Sequence, residues 1–450
     1  MSVSHPSGDR FPAGLHHAFS FAAFNALSFQ IVLGSPMVLF AKSLGASATI
    51  LGLVAGMMPL LVIFQIPAAS HINRIGFKRF VYAGWGTRVM FIFGIAVVPL
   101  LGRLLDAANQ LALLLGLLFC FNLSRGISSC AWLPWITALV PESLRGRYLA
   151  RDAAVQNLAS FGAFVLAAMA LSGETQAWQF AALFGFSAVM GAISLSFLKR
   201  IPDAQPPEDP AGKGRVPWLA MLRHPPFLKL LRAVVLWSVA YGGMTTFTTT
   251  FLKMKAGLPD ASIMLISSVA YLGGLCSLAL LGTRLDRLGS KPVLKAGVGA
   301  CIVVLTGWVL LAGEVLPTTF ATVLPLQFLM GLLAAVVNMS ATRLAMLVVP
   351  VMGRNHFFAL YSVIASVALG LAPIGWGLLI DAVGVAQWHW VGLDWNRFTI
   401  FFGAAAMTFA ATLLLVRRLE EPRAASMEDL LREILVQTPL RVWFRLWLRG

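Results

Sequence analysis

From residue 17 to residue 417 the sequence is a succession of long apolar stretches separated by short polar ones. A helix rises 1.5 Å per residue, so about 20 apolar residues cross a hydrocarbon layer roughly 30 Å thick. In lipid every backbone N–H and C=O must be satisfied internally, which leaves helices and closed barrels as the only spanning forms. These stretches are continuous and do not alternate apolar with polar, so a barrel is excluded. Twelve helical spans are predicted, at 17–41, 47–70, 80–101, 109–137, 151–172, 176–198, 230–252, 260–283, 292–313, 317–347, 356–380 and 397–417. They are numbered 1 to 12 below. The chain is 58% hydrophobic and 12% charged, about half the charged fraction of an ordinary soluble domain. The fold class is therefore an all-α membrane protein.

The N-terminus shows no small-residue cleavage site after a short apolar core, so span 1 is expected to act as an uncleaved anchor. Most Lys and Arg lie in the N-terminal segment, the even-to-odd loops and the C-terminal tail. Lys42, Arg103, Lys253, Lys255 and Arg397 fall on the opposite face, and Arg88, Arg125 and Arg343 fall inside spans. This asymmetry predicts that both termini are cytoplasmic. The net charge of +16 is then a topological signal that needs no nucleic acid to explain it, with contact to membrane lipids as a side effect. Cys120, Cys130, Cys276 and Cys301 all lie in spans at no metal-ligand spacing, so neither a metal site nor a disulfide is expected.

The chain repeats itself. Asn73-Arg74-Ile-Gly76-Phe-Lys78 is a degraded copy of Gly282-Thr-Arg-Leu-Asp286-Arg287-Leu-Gly289-Ser-Lys291, with a shift of 286 − 73 = 213 residues. Val140-Pro141-x-x-x-Arg145-x-x-Tyr148 recurs as Val349-Pro350-x-x-x-Arg354-x-x-Phe357, with a shift of 349 − 140 = 209. Two six-span halves follow, at 1–200 and 229–418. A polar, proline-rich linker at 201–228 joins them, and a cytoplasmic tail runs over 419–450.

A Gly-x-x-x-Asp-Arg-x-Gly-x-Lys turn closing one hairpin in each half resembles the loop 2–3 and loop 8–9 signature of the major facilitator superfamily. The resemblance covers about residues 15–420. It implies that Gly282, Asp286, Arg287, Gly289 and Lys291 form a gating turn that latches the cytoplasmic side. Asn73, Arg74 and Gly76 would form its weaker counterpart, since Asn73 carries no charge. It also implies twelve spans in two pseudo-symmetric halves, with the substrate site between them near the bilayer midplane. Arg145-Gly146-Arg147-Tyr148 resembles loop 4–5 of many bacterial members, which points to a bacterial cytoplasmic membrane. Arg145, Arg147 and Arg354 with Asp152 are the candidates for a cytoplasmic charge network.

Polar groups within spans are costly and tend to face a bundle interior or a water-filled cavity. Asn122, Arg125, Ser129 and Trp132 recur at three-and-four spacing on one face of span 4, with Arg125 as a cationic anchor. Asn25 and Ser28 in span 1, Tyr241 and Thr245 in span 7, and Asn338 and Thr342 in span 10 are further candidates. In the superfamily, spans 1, 4, 7 and 10 line the central cavity. Arg88 and Arg343 lie within about two turns of a predicted cytoplasmic end, where a long side chain reaches the headgroups. The stretch Asn122-Leu-Ser-Arg125-Gly126-Ile127-Ser128 also resembles the span-4 motif of drug:proton antiporters. There the motif's arginine aligns with Asn122 and its glutamine with Arg125, so the proton-relay role is not carried over.

None of the 18 acidic residues falls in the middle of a predicted span. A central Arg without a central carboxylate favours a polar or anionic solute over a cationic drug. The absence of Walker, His-Glu-x-x-His and Gly-x-Ser-x-Gly patterns leaves an enzyme without support. The tail adds an apolar stripe at Met427, Leu430, Leu431, Ile434 and Leu435. Val442, Trp443, Leu446 and Trp447 then alternate with Arg441, Arg445 and Arg449. This pattern fits either the lipid headgroup region or packing on the protein's own loops. The reading is a monomeric, cofactor-free secondary transporter of a small-molecule solute, working by alternating access. Its alternatives are a non-transporting assembly or lipid-handling protein of the same fold and a lipophilic-drug exporter.

Overall fold

The computed structural model describes residues 11–69, 71–141, 144–204, 224–281, 289–348, 354–419 and 421. Gly282, Asp286, Arg287, linker residues 205–223 and the amphipathic tail lie outside these residues, as do the side chains of Asn73 and Arg354, while the end of the expected linker, from Pro225, already belongs to the helix of span 7. Twelve spans are long and apolar enough to cross a membrane: His16–Ser43, Ala48–Ala69, Phe77–Arg103, Ala107–Leu139, Arg145–Ala170, Ala177–Arg200, Pro225–Met254, Asp260–Leu278, Ser290–Ala312, Phe320–Val348, Phe357–Val383 and Arg397–Arg417.

Several spans are not continuous helices. Span 1 is a helix over His16–Leu33, interrupted at Gly34 and resumed over Ser35–Ser43. Span 7 is interrupted at Gly242 and Gly243, between Pro225–Tyr241 and Met244–Met254. Gly243 has φ +83°, a left-handed conformation that favours glycine. The two breaks are separated by 243 − 34 = 209 residues, the same shift that relates the Val-Pro-x-x-x-Arg loops. Span 4 breaks at Cys130–Ala131, between Ala107–Ser129 and Trp132–Leu139.

The chain forms two compact units. The first comprises Met1–Gly214, Gly243–Ser268 and Leu369–Ala382, and the second Arg215–Gly242, Val269–Ala368 and Val383–Gly450. In the first, span 1 packs on spans 5 and 6, and span 3 on spans 4 and 6. The ends of these spans nearest the chain terminus bury an aromatic cluster that includes Phe21, Trp85, Trp135 and Tyr148. The Phe21 and Trp85 rings stack with centroids 4.7 Å apart.

The far ends of spans 1, 2, 7, 8 and 11 interlock within this first unit. Ser35 Oγ meets Thr249 Oγ1 at 2.9 Å and Ser267 Oγ at 3.1 Å, all buried. The Asp381 carboxylate accepts from Ala48 N at 3.0 Å and from Thr49 N and Oγ1 at 2.8 and 2.7 Å. Thus the end of span 11 caps the start of span 2, where a negative charge meets unpaired helical N–H groups. The two spans also touch backbone to backbone: a Cβ added at Gly52 would run into the Pro373 carbonyl, and one at Gly377 into the Ala48 carbonyl.

In the second unit, span 9 packs on spans 10 and 12, and the first helix of span 7 on span 12. A two-stranded antiparallel hairpin, β1 Trp388–Trp390 and β2 Leu393–Trp395, joins spans 11 and 12.

Candidate functional site

Glycine at position 84 lets span 4 approach span 3 closely, and Ser124 Oγ donates to the Gly84 carbonyl at 2.7 Å. The contact places two arginines near each other. Arg88 of span 3 lies over the Trp85 ring, 5.1 Å from its centroid, and over the Phe121 ring of span 4 at 5.8 Å. Phe121 and Arg125 are four residues apart on one helix, hence on the same face one turn apart. Arg125 is half-buried and sits 5.9 Å from the Phe29 ring of span 1.

Arg88 is 1% exposed. Its Nη2 donates to Asn25 Oδ1 of span 1, while its Nε has no partner. The sequence reading has this side chain reaching the headgroups. The structure instead starts span 3 at Phe77 rather than residue 80, so Arg88 lies about three turns from that end and its side chain stays inside. Among the described residues neither Arg88 nor Arg125 forms an ion pair. A cation held away from water without a carboxylate is energetically expensive. Such an arrangement favours any anion that reaches it.

The other predicted site residues are distributed as follows. Asn122 is buried, with Nδ2 donating back to the Leu118 carbonyl at 2.9 Å and Oδ1 unpartnered. Ser129 accepts from Gln65 Nε2 of span 2 at 2.6 Å. The Trp132 ring lies 5.1 Å from both Phe21 and Trp85, so it closes the aromatic cluster beside Arg88. Ser28 is fully buried against span 6, accepting from Ser187 Oγ at its carbonyl at 2.7 Å. Thr245 is exposed at the start of the second helix of span 7. Asn25, Arg125 and Trp132 are thus brought near Arg88, whereas Asn122 bonds back to its own helix, Ser129 pairs with Gln65 and Ser28 is taken up by packing.

Tyr241, Asn338 and Thr342 belong to the second unit. Tyr241 stacks on Trp237 with centroids 5.5 Å apart, and Trp237 Nε1 donates to Asn338 Oδ1 at 3.1 Å. Thr342 Oγ1 bonds back to the Asn338 carbonyl at 2.8 Å. Together these groups form a small polar and aromatic set on spans 7 and 10.

The gating turn is described at its edges. Gly76 and Gly289, with φ +86° and +81°, each precede the first residue of a span. Lys78 Nζ donates to the Ile201 carbonyl at 2.8 Å, which ties span 3 to the end of span 6. In the second unit, the Glu421 carboxylate accepts from Ser290 N at 3.0 Å and Lys291 N at 2.6 Å. Arg343 Nη1 reaches Ser290 Oγ at 3.1 Å and Glu421 at 3.4 Å. The sequence reading does not single out Glu421, although it lies just beyond span 12 as an acid in a basic neighbourhood. The charge-network candidates are held differently: Asp152 accepts from Gln156 Nε2 at 2.6 Å, and Arg145 donates to the Val140 and Thr137 carbonyls. The structure does not bring Asp152 into an ion pair among the described residues.

The family model described as Major Facilitator Superfamily matches residues 18–324. No curated protein sequence matches the chain. Among solved structures, a variant of the nucleoside transporter NupG is 12% identical with a TM-score of 0.68, over 90% of this chain and 99% of that one. A POT family transporter in complex with a thioalcohol-conjugated peptide is 13% identical, also at 0.68, over 91% and 97%. A bacterial homologue of the human lysosomal transporter Spinster is 12% identical at 0.58, over 90% and 94%. At such identities the likeness is one of fold.

Proposed function

The chain belongs to the Major Facilitator Superfamily, a family of multi-pass membrane transporters, and from that premise we propose that it moves a small anionic or polar solute by alternating access. One observation carries the solute class: two arginines near each other on spans 3 and 4, one buried and one half-buried, form no ion pair among the described residues. In this reading Arg125 binds the negative group of the solute. Arg88, fixed by Asn25 and flanked by Trp85 and Phe121, raises the positive potential at that place without touching the solute. A cationic drug would meet repulsion there, which argues against the exporter alternative.

The interlocked ends of spans 1, 2, 7, 8 and 11 are, in this reading, a gate that parts when solute passes on the face away from the termini. The hydroxyl contacts of Ser35 and the capping bonds of Asp381 would exchange protein partners for water, at little net cost per bond. In this reading both termini are cytoplasmic, which the asymmetry of Lys and Arg supports, and the membrane is a bacterial cytoplasmic one, which the resemblance of Arg145-Gly146-Arg147-Tyr148 to loop 4–5 of bacterial members supports. Proteoliposome uptake tests the proposal. Counterflow of organic anions such as carboxylates and phosphate esters should be saturable and lost in Arg125→Ala. Uptake of a cationic panel with anions inert would overturn it.

A further inference from the structure

The β1–β2 hairpin between spans 11 and 12 is built in a way that packing does not explain. Its register pairs Trp388 with Trp395, His389 with Asp394 and Trp390 with Leu393. Side chains alternate across a strand, so the three tryptophans and Leu393 share one face, while His389 and Asp394 share the other. His389 Nδ1 and Asp394 Oδ1 lie 2.7 Å apart. The hairpin is therefore amphipathic over a very short length.

It is also firmly held. Asp394 N donates to the Gly313 carbonyl at 3.2 Å, and Asn396 Nδ2 to the Ala312 carbonyl at 2.7 Å. Asn396 Oδ1 in turn caps span 12, accepting from Phe398 N at 2.9 Å. Trp395 Nε1 donates to the Trp390 carbonyl at 3.3 Å. Despite these ties the apolar face is only partly covered: Trp388 is 48% exposed and Trp390 64%. At the tip, Val391 and Gly392 have φ +54° and +69°. Two consecutive positive φ values mark a turn that favours Asn-Gly, and a β-branched residue at the first of them is strained. That strained valine is 80% exposed, and so is Val385 just before the hairpin, at 91%.

We propose that this hairpin is a membrane-interface anchor, with Trp388, Trp390 and Val391 seated among the lipid headgroups and the first acyl carbons of the leaflet away from the chain termini. Chain connectivity argues for lipid as the occupant. The hairpin begins five residues after span 11 ends at Val383, finishes two before span 12 starts at Arg397, and rests on Gly313 at the end of span 9. It thus stands at the ends of three spans, at the level of the bilayer surface. Tryptophan is enriched at that level because its indole is apolar in body and polar at one edge. The strain at Val391 is then offset by burial of its side chain in lipid.

The test places a fluorophore at the tip. With Cys120, Cys130, Cys276 and Cys301 replaced by serine, Val391→Cys is labelled with NBD and the full chain is reconstituted in phosphatidylcholine vesicles. Some of the lipid carries a nitroxide on the acyl chain close to the headgroup. A blue-shifted emission, quenched severalfold more by the nitroxide lipid than by aqueous iodide, is expected. The same label at Glu174→Cys, in the exposed loop between spans 5 and 6, should show the reverse. Emission at Val391→Cys matching the Glu174→Cys control would overturn the proposal, as would self-crosslinking of Val391→Cys, which would assign the patch to a second copy. A second measurement leaves the native cysteines in place. Quenching of intrinsic fluorescence by brominated phosphatidylcholine should fall in the Trp388→Ala, Trp390→Ala double variant, and unchanged quenching would count against the anchor.

Discussion

Asn25 of span 1 accepts a hydrogen bond from Arg88 of span 3, and that amide oxygen is the acceptor that holds a guanidinium buried among aromatic rings. Removing one partner of a buried charged hydrogen bond costs about 1–3 kcal/mol or more. Asn25→Ala is therefore expected to lower the thermal stability of the purified protein. Asn25→Asp supplies the carboxylate that the site lacks. It should match or exceed the stability of the parent while weakening anion binding, since it neutralises the cation. Unfolding midpoints with and without added organic anion check both halves of this prediction.

The close approach of spans 2 and 11 makes a second prediction. At Gly52 and Gly377 an added side chain meets a backbone carbonyl of the other span, so the spans must part to accept it. Gly52→Leu and Gly377→Leu are each expected to expose the hydroxyl cluster of Ser35, Thr249 and Ser267. In either background, Ser267→Cys should react severalfold faster with a membrane-impermeant maleimide added on the face away from the termini. An unchanged rate would show that the interlock is not a gate.

Asp381 tests the same interlock by charge. Its carboxylate caps the start of span 2 through two backbone amides and one hydroxyl. Loss of such a cap costs about 0.5–2 kcal/mol. Asp381→Ala should raise maleimide access in the same assay, and Asp381→Asn, which keeps one acceptor oxygen, should raise it less.

Glu421 makes the corresponding prediction in the second unit. It holds the first amides of span 9 and reaches Arg343. Glu421→Gln keeps the shape but loses the charge, and charge-assisted bonds are roughly twice as strong as neutral ones. Amide hydrogen exchange at Ser290 and Lys291 should accelerate, while exchange in the middle of span 9 stays as it is.

Much of this architecture is legible in the sequence, for a physical reason. A membrane span is specified by length and continuous apolarity, both of which are local, so spans such as Arg397–Arg417 can be read directly. The repeat is legible for the same reason, and the breaks at Gly34 and Gly243 fall on its 209-residue shift. What sequence reading misses depends on contacts between spans. The burial of Arg88 hinges on where span 3 begins and on Asn25 from another helix, and neither is periodic. The Glu421 cap joins residues more than a hundred positions apart. The hairpin is hidden because its turn is built on Val391-Gly392 and not on Asn-Gly.

The account rests on Arg125 as the anion-binding cation, and a thermal-shift titration addresses it most directly. The purified protein in detergent is titrated with organic anions, neutral sugars, amino acids and lipophilic cations, alongside Arg125→Ala and Arg125→Lys. The account predicts stabilisation by an anionic class in the parent, its loss in Arg125→Ala and its partial return in Arg125→Lys. Stabilisation by anions of equal size in Arg125→Ala and in the parent would contradict it.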